Sequence, residues 1–151
     1  MSDSALEDLY QEVILDHHKH PRCKRVLEAP CASACIFNPL CGDEVTVSLR
    51  TEGARIAEIG FNGKGCSISQ ASASIMSELC SGRSLEEAAA LQEKFVEMML
   101  GRIEGAKCED LCDALVLEGV KRFPARVHCA ILGWEGLKQC LAQLEKAATS
   151  P

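Results

Sequence analysis

Val45-Thr46-Val47-Ser48-Leu49-Arg50 alternates apolar and polar residues without a break, and Arg55-Ile56-Ala57-Glu58-Ile59-Gly60-Phe61 follows it across a turn at Gly53. A period of two in residues that favour extended chain predicts two strands paired as an antiparallel hairpin. A third strand is expected at residues 32–37, inside a stretch from 19 to 43 that Pro21, Pro30 and Pro39 otherwise mark as loop or edge strand. After Gly63-Lys64-Gly65 the period becomes helical: Ile68, Ala71, Ile75 and Leu79 line one face of a helix ending near Ser81-Gly82. Ser84 and Glu87 have the spacing of a capping box, opening a helix whose inner face is Ala88, Leu91, Phe95, Val96 and Met99. A short helix is expected over 108–121, and a long one from Pro124 carries Val127, Ile131, Trp134, Leu137, Leu141 and Leu144. Upstream, residues 5–18 form an amphipathic helix with the stripe Leu6, Leu9, Val13 and Ile14, stopped by Pro21. Strands first and helices afterwards predict an α+β fold: a three-stranded antiparallel sheet with about five helices packed on one face. No repeat, low-complexity tract or linker divides residues 1–151, so one domain is expected.

The 151 residues are 47% hydrophobic and 25% charged, which excludes disorder as the dominant state. Six aromatic residues leave the core to aliphatic side chains and alanine. A net charge of −6 argues against a general nucleic-acid binder, which carries a basic stripe. The basic stretch His17-His18-Lys19-His20-Pro21-Arg22 reads either as a solvated helix end or as a docking patch for an acidic partner. No apolar run approaches the roughly 18 residues of a membrane span. The acidic opening, without a basic or apolar leader segment, gives a cytoplasmic expectation. In that reducing setting ten cysteines point to metal or sulfur chemistry rather than to disulfides.

Cys41 and Asp43 flank Gly42 at the entry to the first hairpin strand, where residues two apart point to one side. Cys66 opens a helix, and the free N–H groups there favour a thiolate. His128 and Cys129 fall in the first turn of the last helix. Three thiols, a carboxylate and an imidazole suit tetrahedral zinc, and equally a [2Fe–2S] cluster. Free cysteine usually packs as a small hydrophobe, and Cys23, Cys31, Cys35, Cys80, Cys108, Cys112 and Cys140 are read that way. Cys31/Cys35 and Cys108/Cys112 are each spaced to share a helix face. His17, His18 and His20 are expected at the surface, Trp134 in the core, and the Ser/Ala-rich helix 67–77 in close helix packing.

Asn38-Pro39-Leu40-Cys41-Gly42-Asp43, Gly63-Lys64-Gly65-Cys66-Ser67-Ile68-Ser69 and Arg126-Val127-His128-Cys129 together resemble the iron–sulfur cluster assembly proteins of the IscU/SufU/NifU N-terminal family. Leu9-Tyr10, Ile14-Leu15-Asp16-His17 and His20-Pro21-Arg22 resemble that family's opening helix, with Cys23 standing where an asparagine is usual. The likeness runs from about residue 6 to 145 and implies a NifU-like fold with a surface metal site of Cys41, Asp43, Cys66 and Cys129. It implies a cysteine desulfurase as sulfur donor and apo iron–sulfur proteins or downstream carriers as recipients. The long stretch between Cys66 and Cys129, and Arg126, resemble the SUF-system zinc sulfurtransferases, in which Cys41 would take the sulfur and Arg126 would pair with Asp43. His128 resembles the cluster-building scaffolds, where it would be an additional ligand and Cys129 the alternative sulfur acceptor. The reading taken first is a [2Fe–2S] scaffold that is not itself an enzyme, with a zinc-dependent sulfurtransferase as the alternative; a domain with structural zinc only is a third reading, against which Asp43 counts.

Overall fold

The computed structural model describes residues 3–149, with side chains described from 11 to 147. Helix α1 (Asp3–Lys19) is followed by strands β1 (Ala32–Asn38), β2 (Asp43–Glu52) and β3 (Arg55–Lys64). Then come α2 (Ser67–Cys80), α3 (Leu85–Met99), two 3-10 segments (Gly105–Lys107 and Glu109–Arg122) and α4 (Pro124–Thr149). The strands form one antiparallel sheet in the order β1-β2-β3, with Val47 opposite Ala34 on one side and Phe61 on the other. The expected third strand thus pairs with the hairpin's first strand. The Leu6 and Leu9 part of the expected α1 stripe lies outside the described side chains.

Period two in β2 places Val45, Val47 and Leu49 on one face, all fully buried, and α4 packs across them. Helix α2 lies between α1 and α4, and nearly all of it is buried, from Ser69 to Ser77. Small residues make this possible: a Cβ at Gly133 of α4 would stand 3.1 Å from the Ala73 Cβ of α2. Trp134 is fully buried and stacks on Phe95 of α3, ring centroids 4.2 Å apart, while its indole N–H donates to Ser72 Oγ at 3.0 Å. The Ser84 capping box forms as the spacing predicts, Ser84 Oγ accepting from Glu87 N–H and the Glu87 carboxylate from Ser84 N–H. The exposed edge of β1 is clasped at one point: Gln143 Oε1 accepts from Ser33 N–H, and Gln143 Nε2 donates to the Ser33 carbonyl at 2.8 Å.

Three expectations are corrected. Residues 108–121 are not a regular helix: the segment is 3-10 and is broken at Cys112, whose φ is 50°. Cys108 and Cys112 therefore share no face, the first being buried and the second exposed. Cys31 and Cys35 are exposed too, because they sit before and on β1, where alternate residues face away from the core. Only Cys80, Cys108 and Cys140 of the seven are buried, with Cys23 half-buried. His17 is not a surface residue: it is 2% exposed, and its Nδ1 lies 2.8 Å from Ser74 Oγ of α2. The stripe of α1 is wide enough to bring the imidazole under α2, which the charge of its neighbours hides in the sequence.

Candidate metal and sulfur site

Cys41, Asp43 and Cys129 converge where the β1–β2 loop meets the second turn of α4; their ligating atoms all lie within 4.8 Å of one another. Cys41 and Asp43 do not share a side through extended chain, as their spacing suggested. The loop closes with Gly42 N–H donating to the Asn38 carbonyl at 2.8 Å, and Gly42 takes a φ of 76°, the left-handed region that favours glycine. That turn exposes Cys41, whereas Asp43, now the first residue of β2, is 4% exposed.

Cys66 is the N-cap of α2, and its backbone N–H donates to Asp43 Oδ1 at 3.2 Å. Its thiol lies outside the tightest group of donors but close to it, 3.9 Å from Ser69 Oγ and against Arg126. Burial works against the Asp43 charge, yet the polar groups of Cys66, Ser69, Cys129 and Cys41 around it hold its carboxyl below the usual carboxylate range. Burial, together with the neighbouring Cys66 and Cys41 sulfurs, pushes the Cys129 thiol up. Arg126 projects from α4 three residues before Cys129 and is exposed; the Cys66 and Cys129 sulfurs raise its already high pKa.

The donors fit a borderline or soft cation. The Cys129 and Cys41 sulfurs are 3.7 Å apart, and two sulfurs about 2.3 Å from one tetrahedral ion are separated by about 3.8 Å. Asp43 Oδ2 is buried without a hydrogen-bond partner among the described residues. A buried carboxylate oxygen left unpaired costs on the order of 1–3 kcal/mol or more, a deficit that a bound cation removes.

His128 stands apart from this group. It is exposed and lines a shallow cavity of about 280 Å³ with Phe37, Leu40 and Ile131. Ser69 was missed in the sequence; its signal was its place three residues after the N-cap Cys66, one turn along the helix. Also missed were the apolar side chains exposed around the site, Phe37, Leu40 and Phe123, of which Leu40 is 88% exposed. A second cavity, of about 440 Å³, opens beside Cys66 and Arg126 and is walled by Ile14, Ile68 and Phe123.

Comparison with known proteins agrees with this architecture. The model of the NifU-like N terminal domain matches residues 9–149. The chain is 40% identical over 143 residues to the zinc-dependent sulfurtransferase SufU of Bacillus subtilis, covering 95% of this chain and 96% of that protein. It is 37% identical over 147 residues to the iron–sulfur cluster assembly scaffold protein IscU of Streptococcus pyogenes, covering 97% and 91%. The crystal structure of a nitrogen-fixing NifU-like protein (N-terminal) from Brucella abortus superposes with a TM-score of 0.81 at 26% identity, covering 93% of this chain and 96% of that one. With a family match across almost its whole length, this chain belongs to the NifU-like N-terminal domain family.

Proposed function

We propose that the protein works in iron–sulfur cluster assembly by accepting sulfur from a cysteine desulfurase at a zinc-binding thiolate site of Cys41, Asp43, Cys66 and Cys129. The observation that carries this reading is the placement of Arg126 against Cys66 and Cys129, while His128 stays outside the donor group. Bound zinc would hold the thiols as thiolates at neutral pH and keep them from oxidising in the resting protein. The remaining chemistry belongs to the chain. Cys41 is the exposed thiol of the site and sits on a loop, so it is the sulfur that can reach an incoming persulfide. Its thiolate attacks the terminal sulfur of the desulfurase persulfide; that S–S bond breaks, the desulfurase cysteine leaves as thiolate, and Cys41 keeps the persulfide. Arg126 holds the negative charge of Cys66 and Cys129 while Cys41 is engaged elsewhere. Phe37, Leu40 and Phe123 supply apolar surface for the partner around the thiol.

The second reading, a scaffold that assembles a transient [2Fe–2S] cluster and passes it to apoproteins, is favoured by His128, exposed at the rim next to Cys129. One anaerobic assay separates the two. The protein is incubated with a cysteine desulfurase and 35S-labelled cysteine, with and without ferrous iron, and label, visible absorption and zinc are followed. The expected result is label on the wild-type chain, none on Cys41→Ser, and transfer slowed about tenfold or more in Arg126→Ala with zinc retained. Cluster absorption that grows on the chain and moves to an apoprotein would instead establish the scaffold reading.

A further inference from the structure

The buried imidazole of His17 lies at a second convergence of donors, on the opposite end of α2 from the thiols. Glu78 is twelve residues beyond Cys66 on that helix, about 18 Å along its axis. The ligating atoms of His17, Glu78 and Asp113 all lie within 4.8 Å of one another, contributed by α1, α2 and the 3-10 segment after the Cys112 kink. His17 Nε2 is 3.9 Å from Asp113 Oδ2, too far for a hydrogen bond, so a side chain that is 2% exposed brings a ring nitrogen near a carboxylate to which it is not hydrogen-bonded. We propose that His17, Glu78 and Asp113 form a second metal site, for a divalent first-row transition ion such as Fe²⁺ or Mn²⁺.

The geometry supports an ion in three ways. Donors that each lie about 2.1 Å from one ion are separated by roughly 3 to 4.2 Å, which brackets the His17–Asp113 distance. The other ring nitrogen is already fixed, since His17 Nδ1 lies 2.8 Å from Ser74 Oγ, and that hydroxyl also accepts from Arg22 N–H at 2.8 Å. A second hydrogen bond that sets ring orientation is the usual support of a ligating histidine. The carboxylates are half-exposed and open on a pocket of about 350 Å³, so solvent ligands can complete the shell. Cys112 lines that pocket, but its thiol turns to the Asp110 carbonyl, leaving a donor set of one nitrogen and carboxylate oxygens. Such a set favours Fe²⁺ or Mn²⁺ over ions that prefer thiolate. Charge agrees: Asp16, Glu78 and Asp113 face one guanidinium, Arg22, which pairs with Asp16 at 2.6 Å and reaches Glu78 at 3.5 Å, while Arg83 turns to Glu87. This site does not depend on the role given to the thiols.

The test uses the full chain with zinc already loaded at the thiolate site. Mn²⁺ is added and the free-ion EPR signal followed; Fe²⁺ is then titrated anaerobically by calorimetry. One further ion per chain is expected, with affinity falling about tenfold or more in Glu78→Gln and in Asp113→Asn and unchanged in Arg126→Ala. Both carboxylates are about half-exposed, so these variants keep the fold even if His17→Ala does not. No binding of Mn²⁺ or Fe²⁺ beyond zinc, or wild-type affinity in the two carboxylate variants, would overturn the proposal.

Discussion

Gly65→Ala tests the metal site through a residue that carries no donor. Gly65 has an ordinary backbone conformation, so alanine meets no strain of its own there and gains about 0.4–1 kcal/mol by restricting the unfolded chain. Its Cβ, however, would stand 2.8 Å from Asp43 Cγ and 3.0 Å from Asp43 Oδ1, and closer still to Ser69 Oγ. Carbon contacts settle at about 3.5–4.0 Å, so the carboxylate has to retreat by roughly 0.5–1 Å. Crowding of that kind costs about 1–3 kcal/mol, and the metal-free protein should lose at most about 2.5 kcal/mol in urea unfolding once the backbone gain is counted. Zinc should suffer out of proportion, because donor distances tolerate only about 0.2 Å. A drop of about 10–100-fold in zinc affinity is expected, measured by competition with a chromogenic chelator. Gly101→Ala is the control: its φ of 79° makes alanine strained, nothing lies within 4 Å of its Cβ, and it is placed after α3, away from the thiols. It should lose about 1–2 kcal/mol of stability and no zinc affinity. A folded Gly65→Ala chain that holds zinc as tightly as wild type would refute Asp43 as a ligand.

Two further outcomes follow from groups outside that site. Ser84→Ala removes the hydroxyl half of a formed capping box, leaving the backbone N–H to Glu87, and the urea midpoint should fall by the equivalent of about 1 kcal/mol with sulfur acceptance unchanged. Burial, with Arg22 nearby, holds His17 below its ordinary pKa of 6.5. The unfolded chain therefore binds the proton more readily, so metal-free stability should be full above about pH 6.5 and decline as pH falls through that value toward the lower folded pKa. Urea unfolding of wild type and His17→Gln between pH 7.5 and 5 reads this out. A wild-type curve as flat as the variant's would show that the imidazole charges freely in place.

The elements with strong periodicity were legible because one face of each meets the core. The β2 alternation survives as Val45, Val47 and Leu49 under α4, and the Ser84–Glu87 spacing survives as a capping box. The 3-10 segment was not legible. Its composition supports a helix, but at Cys112 the chain takes a left-handed φ so that Leu111, Ala114 and Leu117 can all be buried, a demand set by α1, α3 and α4. The fates of the cysteines were hidden for a related reason: thiols suit an exposed strand face and a core equally well, and it is the pleat of β1 that turns Cys35 outward, whereas Cys140 is buried on the face of α4 against β2. The convergence of Cys41, Asp43 and Cys129 was proposed from residue chemistry and from resemblance. The turn that brings it about, with Gly42 left-handed, is not what extended chain would do. His17 was misread because its sequence neighbours are charged, and the partner that buries it, Ser74, lies 57 residues away.

The donors differ in how firmly they are anchored, and this bears on which sulfur can do chemistry. Cys66 caps α2, whose next turns are buried on all sides. Cys129 is tied to the same helix from one residue away, since Ser72 Oγ donates to the Ala130 carbonyl at 2.6 Å and accepts from Trp134, itself stacked on Phe95. Further along α4, a Cβ at Gly136 would stand 2.7 Å from Val47 Cγ2, so the helix is drawn close onto β2 as well. Moving either of these sulfurs by an ångström means moving a helix against a packed core, where interiors yield in discrete steps and at a cost of kilocalories. Cys41 has no such anchor; it is exposed, between the exposed Leu40 and the turn at Gly42, with the loop's own hydrogen bond to Asn38 as its restraint. Loops with few buried contacts open at the low end of the local stability range. Under the proposed function, a site that would keep its metal while one thiol leaves to meet a persulfide would have its anchored half in Cys66 and Cys129 and its looser half in Cys41.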